Sequence, residues 1–515
     1  MSLIEQLKHF ADSQPAQPAL TAGNDASISY QQLWQHSQYL ANQIAGAVKG
    51  VDMLVVITHR NALQVISLLA GLQLKCPVAI VDLRQGSERL IDIMQQGHRL
   101  LCIVDAQGDK VLAPLVDEAR LPQVQHYYLL EPLSQDTSLT IIQRELAQPQ
   151  PRAASLAALP DDTALILYTS GSTGSPKGVC ISAADLNARL QAEQAWFELS
   201  NSDTILGVLP LNFDVGVTQL LGTLYAGAHH VLANSWLPAD IFHHIQARTI
   251  NGLAMSPMVW RQLLKTKEPA KLWLAINQLR YVTLSGGTVD SETLEHIANQ
   301  LTSATLIKTY GQTEMFRIAS LKINANNFDA ALLNSVGRAY SGVELSIVDE
   351  RGEPVPAGTY GEIIASGMGQ MAAYVPSIGD NIEATQRIHT GDRGRLDTAG
   401  NLFIEGRQND MVKIFDQRIF PDDVANSLQN ILGIRPIAVL ATEADEPKLV
   451  AFIEQDSTEQ CSDEKESPEQ SDQALKAQLR GKIAGHLIPY RFERLSALPS
   501  TANGKIDKLA LRKQL

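Results

Sequence analysis

Tyr168-Thr169-Ser170-Gly171-Ser172-Thr173-Gly174-Ser175-Pro176-Lys177-Gly178-Val179 follows the apolar run Ala164-Leu165-Ile166-Leu167. An apolar run of this length, bounded by small polar residues, predicts a buried strand. A strand that empties into glycines, hydroxyls and then a lysine has the makings of a phosphate cradle. Glycine lets the backbone approach an anion, and successive N–H groups can then point at its oxygens. The Walker phosphate loop needs glycine before the lysine and Ser or Thr after it. Here Pro176 precedes Lys177 and Gly178 follows it, so the loop is of another kind. The plain alternative is a surface loop rich in Gly and Ser.

Working outward, the chain has 515 residues, more than one ordinary core holds, which predicts two or more domains. Hydrophobic residues make up 45% and charged residues 19%, a globular composition. The net charge of −13 argues against nucleic acid or an anionic membrane as main partner. The N-terminus lacks the basic and apolar regions of a signal peptide, and no run is long enough to span a bilayer. Cys76, Cys102, Cys180 and Cys461 have no metal or disulfide spacing, which fits a reducing cytoplasm. The pairs His229-His230 and His243-His244 lack companions at ligand spacing.

Strand-like runs alternate with amphipathic ones over the first three hundred or so residues. Met53–Ile57, the helical Ala62–Leu72, Val78–Val81 and Leu101–Val104 are examples. The alternation predicts α/β units with parallel sheets. After Asn334 the pattern turns to short strands and Gly/Pro turns, at Glu344–Val348, Gly361–Ala365 and Leu402–Glu405, predicting a small β-rich unit. From Met411 a separate α+β unit is expected, with strands at Ile437–Leu440 and Leu449–Ile453 and a helix over Asp472–Leu487. The acidic stretch Glu454–Asp472 reads as a loop or linker.

Further motifs occur in a fixed order. Tyr310-Gly311-Gln312-Thr313-Glu314 follows the apolar run Ala304–Ile307, and loops after strands are where α/β sheets take ligands. Thr390-Gly391-Asp392, Gly406-Arg407-Gln408-Asn409-Asp410-Met411-Val412-Lys413 and Pro499-Ser500-Thr501-Ala502-Asn503-Gly504-Lys505 come later. Alone, each of these is a turn with a charged residue. Together with the phosphate loop they closely resemble the signature series of the adenylate-forming (AMP-binding) superfamily. The likeness runs from Tyr30-Gln31-Gln32-Leu33 to Lys505.

The resemblance implies a large N-terminal domain over 1–409, built of two α/β subdomains and a small β-barrel. It also implies a mobile α+β lid over 410–515, turning about the hinge residue Asp410. ATP and Mg²⁺ are the expected cofactors. Thr169, Ser170, Gly171, Ser172, Thr173, Gly174 and Lys177 would hold the phosphates, and Glu314 the metal. Asp392 would take the ribose, with Arg407, Gly286, Thr309, Tyr310, Gly311 and Thr313 around the nucleotide. Lys505 would be the catalytic lysine, with Thr169 and Glu314 beside it.

In amino-acid-activating relatives an Asp after Phe pairs with the substrate ammonium, and Leu211-Asn212-Phe213-Asp214-Val215-Gly216 offers Asp214. By the same likeness Val215, Thr218, Ala254, Thr283, Ser285, Arg317 and Ile318 would line an acyl pocket suited to a small amino acid. A cation at Arg317 could take a second carboxylate, a phosphate or a pantetheine arm. Where relatives read K-I-x-G, this chain has Asp416 in place of the glycine, close to where a thiol would enter. The resemblance thus implies ATP-dependent activation of a carboxylic acid to an acyl-adenylate, with release of pyrophosphate. Transfer to the phosphopantetheine thiol of a separate carrier protein would follow. An acyl-CoA ligase using free CoA, and a nucleotide-binding protein without catalysis, stay open beside it.

Overall fold

The computed structural model describes the chain apart from residues 24–26, 84–86, 97–98, 119, 132–138, 145–157, 171–175, 234, 288, 376–386, 408–411, 415–416, 420, 435, 443–446, 455–467, 481, 484 and 502–504. The loop proper of the phosphate motif, the hinge residue Asp410, Asp416, Cys461 and most of the acidic stretch lie outside the described residues.

Two large sheets carry the N-terminal part. The first has eight strands, and its centre is parallel: Val78–Ile80, Met53–Ile57, Leu100–Val104 and Val124–Leu130. Thr163–Ser170 joins parallel to Val78–Ile80, and Pro176–Ser182 returns antiparallel beside it. The short strand Ala373–Tyr374 closes that edge. Val78–Ile80, Met53–Ile57 and Leu100–Val104 are buried along their whole length, as parallel strands covered on both faces must be. That burial is why they read as unbroken apolar runs in the sequence.

The second sheet has thirteen strands. Its parallel part runs Thr305–Tyr310, Tyr281–Leu284, Gly252–Leu253, Thr204–Gly207, His229–Leu232 and Pro18–Ala22. Beyond Thr305–Tyr310 it turns antiparallel through Ala319–Ile323 and into five strands between Ser335 and Arg407. These five are the expected β-rich unit, and they close on a small core of Val336, Ile347, Ile363 and Leu402.

After residue 411 come a two-stranded ribbon, a three-stranded sheet and the helix Pro421–Leu432, packed on Val424, Leu428, Val439, Ala451 and Phe492. The helix expected over Asp472–Leu487 instead spans Pro468–Leu479, followed by a 3₁₀ turn at Gly485–Leu487. Proline suits a first helical position because its missing N–H has no partner there anyway. The helix therefore begins inside the stretch read as a linker.

Cys76, Cys102 and Cys180 are buried, and burial pushes the Cys76 and Cys180 thiols up to about 12. Desolvation holds His229 down to about 4 and His230 to about 3. Among the described residues there is no group of His, Cys, Asp and Glu that could hold a metal, and no helix is long and apolar enough to cross a membrane.

Candidate active site

The parallel strands of the second sheet deliver the candidate residues at their carboxyl ends. Ala254 follows Gly252–Leu253, Ser285 follows Tyr281–Leu284, and Gly311 to Glu314 follow Thr305–Tyr310. Asp214 opens the helix Asp214–Tyr225, where a carboxylate gains from the N-terminal helix dipole. Gly216 is held to glycine by packing, since a Cβ there would lie 2.0 Å from the Pro210 carbonyl oxygen.

One cavity of ≈ 20 Å³ gathers Val215, Thr218, Ala254, Thr283, Ser285 and Arg317 on its lining. Thr309 stands behind it, donating to Ser285 Oγ at 2.8 Å. Ile318 is buried in the neighbouring core and is not part of the lining. Asp214 is only 7% exposed. Its Oδ1 accepts from Val215 N–H at 2.8 Å, and no side chain among the described residues donates to it. Desolvation raises its pKa. The Val215 N–H, Lys505, Arg189 and Arg317 each pull it part of the way back.

Arg317 is not a free cation. Glu193 grips it at two points, Nε to Oε1 at 2.7 Å and Nη2 to Oε2 at 2.9 Å, with both side chains nearly closed off from solvent. Such fork-to-fork geometry is the strong form of this pair. Desolvation alone would lower the Arg317 pKa, yet Glu193 holds it above its ordinary value. Glu193 escaped sequence reading, although a signal existed. Leu186, Arg189, Leu190, Glu193 and Phe197 form the buried stripe of the helix Ala183–Phe197, at helical spacing. Two charges on a buried stripe call for partners. Arg189 is stacked on the Phe316 ring and donates to the Gly369 carbonyl. Desolvation pulls its pKa well down.

On the facing side, Tyr310 donates to Asp392 Oδ2 at 2.7 Å, and Arg407 Nε meets Asp392 Oδ1 at 3.2 Å. Gly311 belongs to a cramped turn, for a Cβ would overlap the Phe316 carbonyl oxygen. Thr313 opens the short 3₁₀ helix Thr313–Met315 that presents Glu314. Tyr374, also missed in the sequence, donates to Glu314 Oε1 at 2.9 Å, and Lys177 Nζ sits 5.6 Å from the centre of its ring. Thr169 and Lys177 are cross-strand partners at the root of the phosphate motif. Gly286, at φ +79°, turns the chain out of the Tyr281–Leu284 strand against Phe213.

Lys505 comes from the far end of the chain. Thr501 and Lys505 bond across a hairpin tip, Thr501 N–H to Lys505 O at 2.7 Å. The residue keeps solvent-exposed surface, yet enough protein surrounds its ammonium that desolvation lowers its pKa. Asp214, Asp392 and Glu314 raise it in part, and Arg407 lowers it. The lysine therefore stands open to solvent, within electrostatic reach of Asp214 as well as of Asp392 and Glu314. Lys177 thus lies near the ring of Tyr374, whose hydroxyl donates to Glu314, and Glu314 is also among the charges that act on Lys505.

Two large α/β sheets, a β-rich unit and an α+β unit after residue 411 are the layout expected of an AMP-forming ligase. Residues 7–375 match the model of the AMP-binding enzyme family, and the chain belongs to that family. The D-alanine–D-alanyl carrier protein ligase of Bacillus velezensis is 26% identical over 522 residues, covering 99% of this chain and 98% of that protein. The dimodular nonribosomal peptide synthase of Bacillus subtilis is 26% identical over 528 residues, covering 99% of this chain. The chain spans only 21% of that relative's length. The crystal structure of ATP-bound MatB from Rhodopseudomonas palustris shares the fold, with a TM-score of 0.81 at 19% identity, covering 100% of this chain and 99% of that one.

Proposed function

We propose that this chain activates a small amino acid as its acyl-adenylate, releasing pyrophosphate, and passes the acyl group to the phosphopantetheine thiol of a carrier protein. The observation that carries this reading is Asp214, a desolvated carboxylate next in the chain to the cavity-lining Val215, with no side-chain donor of its own among the described residues. A buried charge without a partner is costly, and a substrate ammonium supplies the missing one. The carrier-protein ligase similar along its whole length supports the acceptor.

In this reading the Ser170–Lys177 loop holds the β- and γ-phosphates, Asp392 takes the ribose hydroxyls and Arg407 stands beside the nucleotide. Glu314 offers one carboxylate, which fits Mg²⁺, a cation commonly held by one or two carboxylates plus substrate phosphates and water. When bound, that ion neutralises phosphate charge. Lys505 bridges the attacking carboxylate and the α-phosphate, where positioning and charge stabilisation do most of the catalysis. Residues 1–409 form the large domain and 410–515 a lid that swings about Asp410, carrying Lys505 in for the first step and out for the second.

ATP–pyrophosphate exchange tests the reading. Wild-type enzyme is expected to exchange with small amino acids over their amine-free counterparts. Asp214→Ala is expected to lose about 10³-fold or more in kcat/KM for amino acids, the loss typical of stranding a buried charge, while simple acids are spared. Equal losses for both classes would remove the case for an amino acid.

A further inference from the structure

Glu314 stands in the three-residue 3₁₀ helix Thr313–Met315 at the end of a strand of the second sheet. So short an element does little to fix a glutamate side chain, which loses much rotamer freedom when it is held. The hold comes from the first sheet instead. Tyr374, on the edge strand Ala373–Tyr374, donates its hydroxyl to Glu314 Oε1 at 2.9 Å. Met371 N–H, just before that strand, donates to the Glu314 carbonyl at 2.8 Å. One short segment therefore grips both the backbone and the carboxylate of Glu314. Among the described residues nothing donates to the other oxygen, Oε2. The same segment is tied to the strand that carries Lys177. Ala372 N–H donates to the Cys180 carbonyl at 2.8 Å and Val375 N–H to the Gly178 carbonyl at 2.6 Å, with Tyr374 opposite Val179. Lys177 lies two residues from Val179 and so shares its face of the sheet, which brings its ammonium 5.6 Å from the centre of the Tyr374 ring. Gly178 permits this approach, since a Cβ there would lie 2.5 Å from Val375 Cγ2.

We propose that Tyr374 is a positioning residue for adenylate formation: its hydroxyl holds Glu314 Oε1 and leaves Oε2 as the oxygen offered to a divalent cation on the nucleotide phosphates. The inference rests on reading Glu314 as the metal carboxylate. Tyr374 acts through Glu314 and does not touch the cation itself. A phenol suits the task, because it orients a carboxylate while leaving its charge in place, as a lysine or arginine would not. The tie also fixes Glu314 to the sheet whose neighbouring strand carries Lys177. Partners that orient a metal-holding carboxylate in this way set the affinity of the site. A tie that served only to join the two sheets would move nucleotide binding equally with and without metal.

The test is calorimetric titration of the full chain with α,β-methylene-ATP, which lacks the bond that adenylation breaks, with Mg²⁺ and again with EDTA. Glu314→Gln should lose most of the affinity that Mg²⁺ adds. Tyr374→Phe keeps the ring beside Lys177 and removes only the hydroxyl. It should weaken binding with Mg²⁺ by about tenfold, the lower end of what losing such a partner costs, and leave binding in EDTA unchanged. Added to Glu314→Gln, it should weaken binding no further, because a residue that acts through another is not additive with it. Equal weakening with and without Mg²⁺, or full additivity in the double variant, would overturn the inference. Loss in Glu314→Gln with none in Tyr374→Phe would also overturn it and leave the metal reading of Glu314 standing. A Glu314→Gln chain that keeps the whole gain from Mg²⁺ would defeat that reading, and the inference with it.

Discussion

The two walls of the cleft hold their carboxylates in opposite ways. On the side proposed for the nucleotide, Glu314 and Asp392 each accept a phenol O–H, from Tyr374 and Tyr310, and Asp392 also meets the solvent-exposed Arg407 guanidinium at 3.2 Å. On the acyl wall, Glu193 is locked by a two-point guanidinium and Asp214 has only a backbone N–H. A neutral phenol fixes a carboxylate such as Glu314 without cancelling its charge, and an exposed guanidinium such as Arg407 is screened by water and cancels little of the charge on Asp392. The buried guanidinium of Arg317 does cancel that of Glu193. Glu193 is thereby spent on Arg317, while Asp214 has no such two-point partner among the described residues, which is what the proposed role with a substrate ammonium requires.

The sharpest way to break this contrast is to strand the locked cation. Glu193→Ala leaves Arg317 buried and unpaired, and loss of one partner of such a pair costs about 3–5 kcal/mol. Chemical denaturation should show that loss. A cost below about 1 kcal/mol, the ordinary worth of an exposed pair, would mean that the pair is solvated and the acyl wall is not the closed environment described.

Lys505 belongs to neither wall, and its removal asks whether the two act together. It feels Asp214 on one side and Glu314 and Asp392 on the other. Lys505→Ala should lower adenylate formation by on the order of 10²–10³-fold, the effect of losing one transition-state donor. Pyrophosphate exchange reads it directly. Thiol transfer from preformed adenylate should fall much less on the proposal that the lid carries the lysine away for that step. Unchanged exchange would refute the assignment.

The same contrast explains what could be read from the sequence. The nucleotide wall is made of contiguous motifs, each hung on one strand end. Tyr310 to Glu314 and Thr390 to Asp392 could be found because the backbone that places them is local. The large sheets were legible for a related reason. Strands such as Met53–Ile57 are buried on both faces and so read as continuous apolar runs. The acyl wall was legible only by likeness, because its residues come from separate strands and helices. Glu193 and Tyr374 were missed because their meaning lies in contacts across 124 residues for Glu193 with Arg317 and 60 for Tyr374 with Glu314. The start of the helix Pro468–Leu479 was missed for another reason. An acidic, proline-bearing composition predicts a linker, and it hides a proline that opens a helix.

The smallest expected effect is also the most particular to Asp214. Its pKa is raised in the folded chain because burial penalises the charged form. A raised carboxyl contributes fully below its unfolded value of about 4, and that contribution is lost as pH rises through the folded pKa. At neutral pH Asp214 therefore costs stability relative to a carboxyl of ordinary pKa, as the proposed ligand-binding role would require. Asp214→Asn keeps an oxygen for the Val215 N–H but carries no charge. It should melt higher than wild type at pH 7, by on the order of 1–2 °C, and the gain should vanish as pH falls towards 4. Exchange with amino acids should be lost in the same variant. An Asn variant that melts lower at pH 7 would show that Arg189, Arg317 and Lys505 already neutralise the carboxylate. The acyl wall would then hold two locked pairs, and no charge would be left there for a substrate ammonium.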